Sequence, residues 1–161
     1  MKRLLLIPVL LLTLLVGNPA CSTGFQKGLD AYQRGDYETA LRELEPLAEQ
    51  GNPDAQYNLG WMYNKGEGVP RSDETAFKWF KLAAEQGNPD AQYNLGWMYY
   101  QGEGTAQDYV YAHMWLNICA SEGDKNAVKN QERVAMKMTP LQLTNARRLA
   151  SECIKKDYKG C

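Results

Sequence analysis

Residues 48–63 read AEQGNPDAQYNLGWMY, and residues 84–99 repeat the same sixteen letters 36 positions later. The four tryptophans share this rhythm, because they stand 18 residues apart at positions 61, 79, 97 and 115. Self-similarity with a period of 36 residues is typical of solenoids in which each repeat is a pair of antiparallel helices. The repeat therefore predicts an all-α protein of stacked helical hairpins before any single helix is assigned.

Local signals indicate two helices in each repeat. Asn52 and Pro53 form a helix start, since an asparagine N-cap is followed by proline at the first helical position. Ala55, Leu59 and Tyr63 are spaced by four and so lie on one side of that helix. The second helix has its apolar stripe at Ala76, Trp79, Phe80 and Ala83.

A shorter repeat precedes the two long ones. Gly28, Gly35, Asp36, Tyr37 and Ala40 have the spacing of a tetratricopeptide repeat, in which small residues let two helices cross closely. In the two later repeats the loop between the helices is four residues longer and begins with a Gly-x-Gly element, GEGVPRSD in one and GEGTAQDY in the other. The chain thus predicts one short hairpin followed by two long ones.

The long loop and the small residues around it resemble the Sel-one-like repeat, a relative of the tetratricopeptide repeat. The matching residues are Ala55, Leu59, Gly60, Tyr63, Gly66, Gly68, Ala76, Trp79, Ala83, Ala84 and Gly87. This resemblance implies a right-handed α-solenoid of about four hairpins that serves as a protein-binding scaffold without a shared catalytic activity. The expected units are a signal segment at 1–22 and hairpins at 23–51, 52–87, 88–123 and 124–161.

The last hairpin departs from the repeat, because its Gly-x-Gly loop is absent. Thr139-Pro140-Leu141-Gln142 predicts a tight helix start with a capping box. We expect the helix that follows to close the open end of the solenoid, as a terminal repeat must. The residues expected to close it are Leu141, Leu143, Ala146, Leu149, Ala150 and Cys153.

The first residues have the pattern of a secretory signal. Lys2 and Arg3 precede an apolar run of 13 residues at 4–16, which is shorter than the roughly 20 residues that span a bilayer. Cys21 is a candidate for lipidation of the bacterial lipoprotein type, and ordinary cleavage after Ser22 is the alternative. Either route predicts export to the periplasm or to the outer membrane and cell envelope.

The remaining three cysteines divide into one buried thiol and one bridge. Cys119 stands where the preceding repeat has Ala83, so we expect it on the packed side of a helix. Cys153 and Cys161 flank the end of the chain, and an exported protein can keep a disulfide between them.

Signals of enzymatic chemistry are few. The single histidine, His113, lies on the predicted second-helix surface, where a structural or exposed role is expected. No nucleophile elbow, zinc-binding pair or phosphate loop appears, so the sequence indicates no catalytic residue, metal or cofactor. Some cysteine-rich relatives are linked to β-lactamase activity, but this chain lacks their one disulfide per repeat.

The resemblance favours a binding protein whose concave surface is built from the first helix of each hairpin. The residues expected to line that surface are Asn58, Trp61, Lys65, Asn94, Trp97 and Gln101. The two tryptophans either anchor a ligand or pack between repeats, and the sequence leaves both open. The partner is an unknown protein or peptide, and nucleic acid is not expected. A structural envelope protein without a discrete ligand is the second class of function.

Charge is unevenly distributed along the chain. Residues 22–123 carry 15 acidic and 7 basic side chains, whereas residues 124–161 carry 4 acidic and 9 basic ones. Within the basic part, four cations spaced by four form one row on a helix. We call this row the basic stripe, and it consists of Lys125, Lys129, Arg133 and Lys137. It predicts either a solvated surface or a docking surface for an anionic lipid, polymer or protein.

Overall fold

The computed structural model describes residues 19–161, with side chains from residue 23 onward. The leader up to residue 18 and the side chain of Cys21 lie outside the described residues. The part of the chain from 19 to 161 folds into eight helices and no strands. They are α1 Pro19–Gln33, α2 Tyr37–Glu49, α3 Pro53–Lys65, α4 Asp73–Ala84, α5 Pro89–Gln101, α6 Tyr109–Ser121, α7 Lys125–Ala135 and α8 Pro140–Lys155. Each helix from α1 to α6 packs on the next, and α8 packs on α6, which confirms the all-α solenoid.

The repeated helices α3 and α5 begin and end with the same devices. Asn52 and Asn88 act as N-caps, and each accepts a hydrogen bond from the backbone amide three residues later. Both helices end at a glycine, Gly66 or Gly102, in the left-handed conformation with φ of 74°. These local signals explain why the same sixteen letters give the same helix twice.

Within each of the first three hairpins the two helices meet at a glycine: Gly28, Gly60 or Gly96. A Cβ built on Gly60 would lie 2.8 Å from the Phe80 ring, and one on Gly28 would lie 2.7 Å from the Leu44 side chain. Phe80 and Leu44 are themselves buried. The small residues of the repeat pattern are therefore required by close helix contact, as the sequence predicts.

Successive hairpins also touch through their loops. Gly68 of the α3–α4 loop lies against Tyr37 at the start of α2, and Gly104 of the α5–α6 loop lies against the backbone of Asp73 at the start of α4. Both glycines have positive φ, 75° and 68°. The two interfaces are thus built in the same way, and this equivalence matters for the binding groove described below.

The last two helices close the solenoid, but both pack on α6 and not on each other as a hairpin at 124–161 would, and one residue also differs from the prediction. Thr139 forms the expected capping box with Gln142, and Ala146, Ala150 and Cys153 are buried. Leu141, however, is 79% exposed. Ala150 comes nine positions after Leu141, so at about 100° per residue the two side chains leave the helix axis about 180° apart. Leu141 therefore faces solvent while Ala150 faces the core.

A disulfide joins Cys153 of α8 to Cys161, with the two Cα atoms 5.7 Å apart. Between them, the Tyr158 hydroxyl donates a hydrogen bond to the Glu122 carboxylate at 2.9 Å. The tail is in this way tied both to α8 and to the end of α6.

Loss of this bridge should lower stability moderately. The closed loop is short, so Cys161→Ser should reduce the free energy of unfolding by about 2–3 kcal/mol on the chain-entropy model. Urea unfolding of the oxidised wild type and of the variant measures the difference. A bridged peptide that contains Cys119 in non-reduced protein, or an unchanged urea midpoint in the variant, would contradict this prediction.

Candidate binding groove

An open groove of about 320 Å³ lies between α3 and α5, on the side of the solenoid formed by the first helices of the repeats. We call it the α3–α5 groove. It is lined by Trp61, Asn64, Lys65, Arg71, Phe80, Asn94, Trp97, Met98 and Glu103. Its volume falls at the lower end of the range for small-ligand sites. Four residues predicted for the binding surface are in this lining: Trp61, Lys65, Asn94 and Trp97. Asn58 and Gln101 are not.

Trp61 packs between helices and also borders the groove. One edge of its ring meets Phe80, with ring centroids 6.0 Å apart and planes at 84°. The ammonium group of Lys65 lies 5.0 Å from the Trp61 ring centroid, a cation–π distance. The indole is partly buried, so part of its surface remains open to the groove. Trp61 can therefore both pack between helices and contact a ligand, the two roles that the sequence leaves open.

Trp97 occupies the equivalent position on α5 but has a different neighbour. Its ring packs against Tyr100 one turn later, with centroids 5.2 Å apart. Tyr100 in turn contacts Tyr109 at 5.8 Å. These contacts hold the Trp97 ring in the lining of the groove, to which Trp61 also belongs.

The two predicted asparagines bond to their own helices. The Asn58 amide donates to the Asp54 carbonyl at 2.7 Å, and the Asn94 amide donates to the Asp90 carbonyl at 2.8 Å. Burial, with a smaller contribution from the charge of Asp90, raises the pKa of Tyr57, which precedes Asn58. Asn94 is thus held in place beside the groove by its own helix, α5.

Sequence reasoning missed several residues that shape the groove. Arg71 makes an ion pair with Asp73 at 3.0 Å, and the Asn64 amide donates to the same carboxylate at 3.2 Å. Glu103 enters from the next loop. Asn64 and Arg71 stand where the two long repeats differ, since the second copy has Tyr100 and Gln107. A comparison of the copies would have marked these two positions.

Three residues of the basic stripe, Lys125, Lys129 and Arg133, lie on α7, whereas Lys137 lies beyond the end of this helix at Ala135, so the predicted helical row of four is one residue shorter. All four side chains of the stripe are exposed, and none makes an ion pair with any acid among the described side chains. The basic stripe therefore does not pair with the acidic part of the same molecule, which was one explanation of a solvated surface. The stripe remains available to an external anion.

His113 is buried, which corrects the expectation that it lies at the surface. Only 1% of the residue is exposed, and its Nδ1 atom has no hydrogen-bond partner within the described structure. Desolvation, with a smaller contribution from the charge of Arg147, lowers its pKa to about 4. The reason for the error is that α6, unlike α4, is covered by both α7 and α8.

This histidine should make the protein sensitive to acid. The folded pKa of about 4 lies below the ordinary 6.5, so the unfolded chain binds its proton first as the pH falls. The stabilising contribution is complete above about pH 6.5 and is lost as the pH falls to about 4, at most about 3 kcal/mol in total. Urea unfolding at about pH 7.5 and at about pH 4.5 measures how far the free energy of unfolding falls between the two pH values. This fall should be smaller for His113→Leu than for wild type. Equal differences in the two proteins would contradict this assignment.

Cys119 is a buried free thiol, as its position in the repeat predicts. Its sulfur lies 3.7 Å from the Pro89 carbonyl oxygen, and burial, followed by the charges of Glu122 and Asp124, raises its pKa to about 12. A thiol with so high a pKa is a poor nucleophile, so this residue is structural.

The described part of the chain offers no other recognisable chemical centre. Within residues 19–161, no helix is both long and apolar enough to cross a bilayer. The same residues contain no group of three or more His, Cys, Asp or Glu side chains arranged to hold a metal ion.

Comparison with known proteins agrees with the repeat architecture. The Sel1 repeat model matches residues 53–88 and 89–124. The chain resembles c5321, a protective antigen present in uropathogenic Escherichia coli strains that displays an SLR fold, with a TM-score of 0.80 and 29% identity over 88% of this chain. This chain spans only 31% of c5321. It also resembles a Sel1 repeat protein from Oxalobacter formigenes, with a TM-score of 0.64 and 38% identity over 70% of this chain and 88% of that one. No curated protein matches in sequence. The chain belongs to the Sel1 repeat family.

Proposed function

We propose that this chain is a non-enzymatic scaffold that binds a protein or an extended peptide through the α3–α5 groove. Sel1 repeats generally mediate protein–protein interactions. The observation that carries the proposal is the pair of partly buried tryptophans, Trp61 and Trp97, that line one open groove. Aromatic side chains that are already held in place contribute much of the binding energy at interfaces, because they lose little entropy on binding.

A peptide-binding experiment tests this proposal. We expect Trp97→Ala to weaken binding of peptides selected from a random library by at least about tenfold, the usual effect at an interface hot spot. Trp79→Ala is the matched control, since Trp79 packs on the α1–α3 core away from the groove. Fluorescence polarisation of labelled peptides gives both affinities. Equal affinities of wild type and Trp97→Ala would refute the groove as the binding site.

The site of action is proposed to be the bacterial cell envelope. The support is the sequence of the leader, with Lys2, Arg3 and the apolar run before Cys21. Metabolic labelling with a radioactive lipid precursor should mark the wild type and not Cys21→Ser if the lipoprotein route is used. Release of unlabelled, shortened protein into the periplasm would instead favour ordinary cleavage after Ser22. Retention of the uncut chain in the cytoplasm would contradict export.

Docking to an anionic surface is the second candidate function, favoured by the four exposed and unpaired cations of the basic stripe. Attraction to anionic lipid is worth on the order of 1 kcal/mol for each Lys or Arg near the surface and is screened by salt. The wild type should therefore sediment with anionic vesicles at low salt, while a variant with all four changed to Glu should not. Thermal unfolding of the two proteins should be nearly the same. A wild type that stays in the supernatant at low salt would leave the stripe as a solvated surface.

A further inference from the structure

The position of Asn64 in the α3–α5 groove is occupied by a tyrosine in the two neighbouring hairpins. In each of the first three hairpins, the fourth residue after the buried glycine of the first helix occupies this position. The residues are Tyr32, Asn64 and Tyr100. Two hairpins thus fill the position with a phenol, and the middle hairpin has a short amide instead.

The first hairpin shows how the phenol is held. The Tyr32 hydroxyl donates a hydrogen bond to the Glu67 carboxylate of the next hairpin at 2.6 Å. Its ring packs against Tyr37, with centroids 5.7 Å apart. Burial, then the hydrogen bond and charge of Glu67, raise the pKa of Tyr32, so the hydroxyl stays protonated and remains a donor. Glu67 accordingly has a donor supplied by the chain itself.

In the third hairpin the equivalent tyrosine is placed between aromatic rings. Tyr100 packs against Trp97 at 5.2 Å and against Tyr109 at 5.8 Å. The tryptophan one turn before this position is therefore a surface on which a phenol ring rests. Trp61 is the corresponding tryptophan of the middle hairpin.

The middle hairpin keeps the acceptor and the tryptophan but lacks the phenol. Glu103 is the repeat equivalent of Glu67 and lines the groove, yet it has no hydrogen-bond donor and no ion pair among the described residues. The Asn64 amide donates to Asp73 at 3.2 Å and makes no hydrogen bond to Glu103. The charge of Glu103 acts on the Arg71 guanidinium, but that group is already paired with Asp73. The acceptor is thus left open towards the groove.

The two interfaces are equivalent in backbone as well as in side chains. Gly68 contacts Tyr37 in the first interface, and Gly104 contacts Asp73 in the second, at matching positions of the repeat. The loops that carry Glu67 and Glu103 therefore approach the preceding hairpin in the same way. The space next to Asn64 corresponds to the space that the Tyr32 ring occupies.

We propose that the α3–α5 groove binds a tyrosine side chain of the partner, with the phenol hydroxyl donating to Glu103 and the ring lying against Trp61 and Trp97. This inference deepens the proposed function and rests on it. A phenylalanine would leave the Glu103 carboxylate without its donor, so it should bind about tenfold to a hundredfold more weakly.

The test uses N-acetyl-tyrosinamide as the probe and follows the indole N–H signals of the four tryptophans by NMR. We expect titration to shift the Trp61 and Trp97 signals with a dissociation constant on the order of 1 mM, typical of a fragment of this size. The signals of Trp79 and of the buried Trp115 should stay in place and serve as internal controls. N-acetyl-phenylalaninamide should require at least about tenfold higher concentration for the same shift.

Two variants separate the contacts. Asn64→Tyr gives the middle hairpin the residue of its neighbours, so it should fold and fill its own groove, and the probe should no longer shift Trp61. Glu103→Gln should weaken probe binding about tenfold or more, because the acceptor loses its charge. Glu67→Gln is the matched control at the equivalent position outside the groove, and it should leave probe binding unchanged.

The outcomes distinguish this inference from the proposed function. The inference is overturned if about 10 mM tyrosine probe, roughly ten times the expected dissociation constant, shifts neither Trp61 nor Trp97. It is equally overturned if the phenylalanine amide binds as tightly, or if Glu103→Gln and Glu67→Gln have the same effect. Should selected peptides still bind in a Trp97-dependent manner in any of these cases, the groove remains a peptide site of other chemistry and the proposed function stands.

Discussion

Removal of residues 52–87 as one unit should leave a shorter helical protein that still unfolds cooperatively. The new junction joins Gly51 to Asn88, and residues 84–99 repeat residues 48–63, so the chain around the junction keeps its native sequence. Helix α5 would pack on α2 as α3 does now. Glu103 would replace Glu67 as the acceptor of the hydrogen bond from the Tyr32 hydroxyl. Each apolar face lost with α3 and α4 is replaced by the same face of the next hairpin.

A deletion half as long should be far more damaging. Removing residues 61–78 joins Gly60 to Trp79 and takes away the end of α3, the loop and the first half of α4. The start of α3 and the end of α4 would be fused into one helix, with the apolar stripe of α3 in its first part and that of α4 in its second. This fused helix would have no partner helix in its hairpin. We expect loss of the cooperative transition, because an incomplete repeat cannot bury its face.

Far-UV circular dichroism and urea titration decide between the two deletions. The 36-residue deletion should keep nearly the wild-type ellipticity per residue and a single sigmoidal transition. The 18-residue deletion should lose ellipticity and broaden or abolish the transition. Equal helicity and cooperativity in both variants would count against a solenoid whose unit is the complete hairpin.

Most of the fold follows from the sequence because its determinants are local and repeated. The period of 36 residues fixes the hairpin as the unit, and the Asn-Pro starts and glycine ends fix the bounds of α3 and α5. The Cys153–Cys161 bridge was also predictable, since both residues lie close together at one end of the chain. None of these features depends on distant parts of the chain.

The errors lie where distant packing decides the outcome. His113 is buried because two helices cover α6, and the degenerate last hairpin gives no repeat pattern from which to foresee that. Leu141 is exposed because α8 turns its Ala146, Ala150 and Cys153 side inward. Both residues lie in or beside the part of the chain that departs from the repeat.

The residues of the α3–α5 groove were predictable only in part. Trp61, Lys65, Asn94 and Trp97 could be predicted because they recur or lie beside the recurring stripe on the first helices. Asn64, Arg71 and Glu103 were missed, because their importance appears only when the loop of one hairpin is set against the helix of the previous one. Differences between otherwise identical copies are the signal that would have directed attention to the first two.

The contact between the α5–α6 loop and the start of α4 leads to a second prediction with a large effect, at Gly104. A Cβ at this position would lie 2.1 Å from the Asp73 carbonyl oxygen and 2.5 Å from its carbon. These are backbone atoms at the start of α4, so no side chain can move away to make room. The residue also has φ of +68°, which costs an alanine about 1–2 kcal/mol before any contact is considered.

Gly35 provides the control, because it has nearly the same conformation without the contact. Its φ is +75°, and a Cβ there would meet nothing within 4 Å. Gly35→Ala should therefore cost only the conformational term, about 1 kcal/mol. Gly104→Ala adds a backbone clash and should cost about 4 kcal/mol, since overpacking that forces backbone shifts typically costs 1–3 kcal/mol more.

Gly68 completes the series and tests the cause. Its Cβ would lie 2.8 Å from the Tyr37 Cβ and 3.1 Å from the Tyr37 carbonyl oxygen, a less severe approach than at Gly104. The free energies of unfolding from urea titration should therefore fall in the order Gly35→Ala, Gly68→Ala, Gly104→Ala, with the last variant least stable. If all three alanine variants lost the same stability, the left-handed conformation alone would explain the cost. The stacking of each loop on the preceding hairpin, which also carries Glu103 to the groove, would then contribute little to the fold.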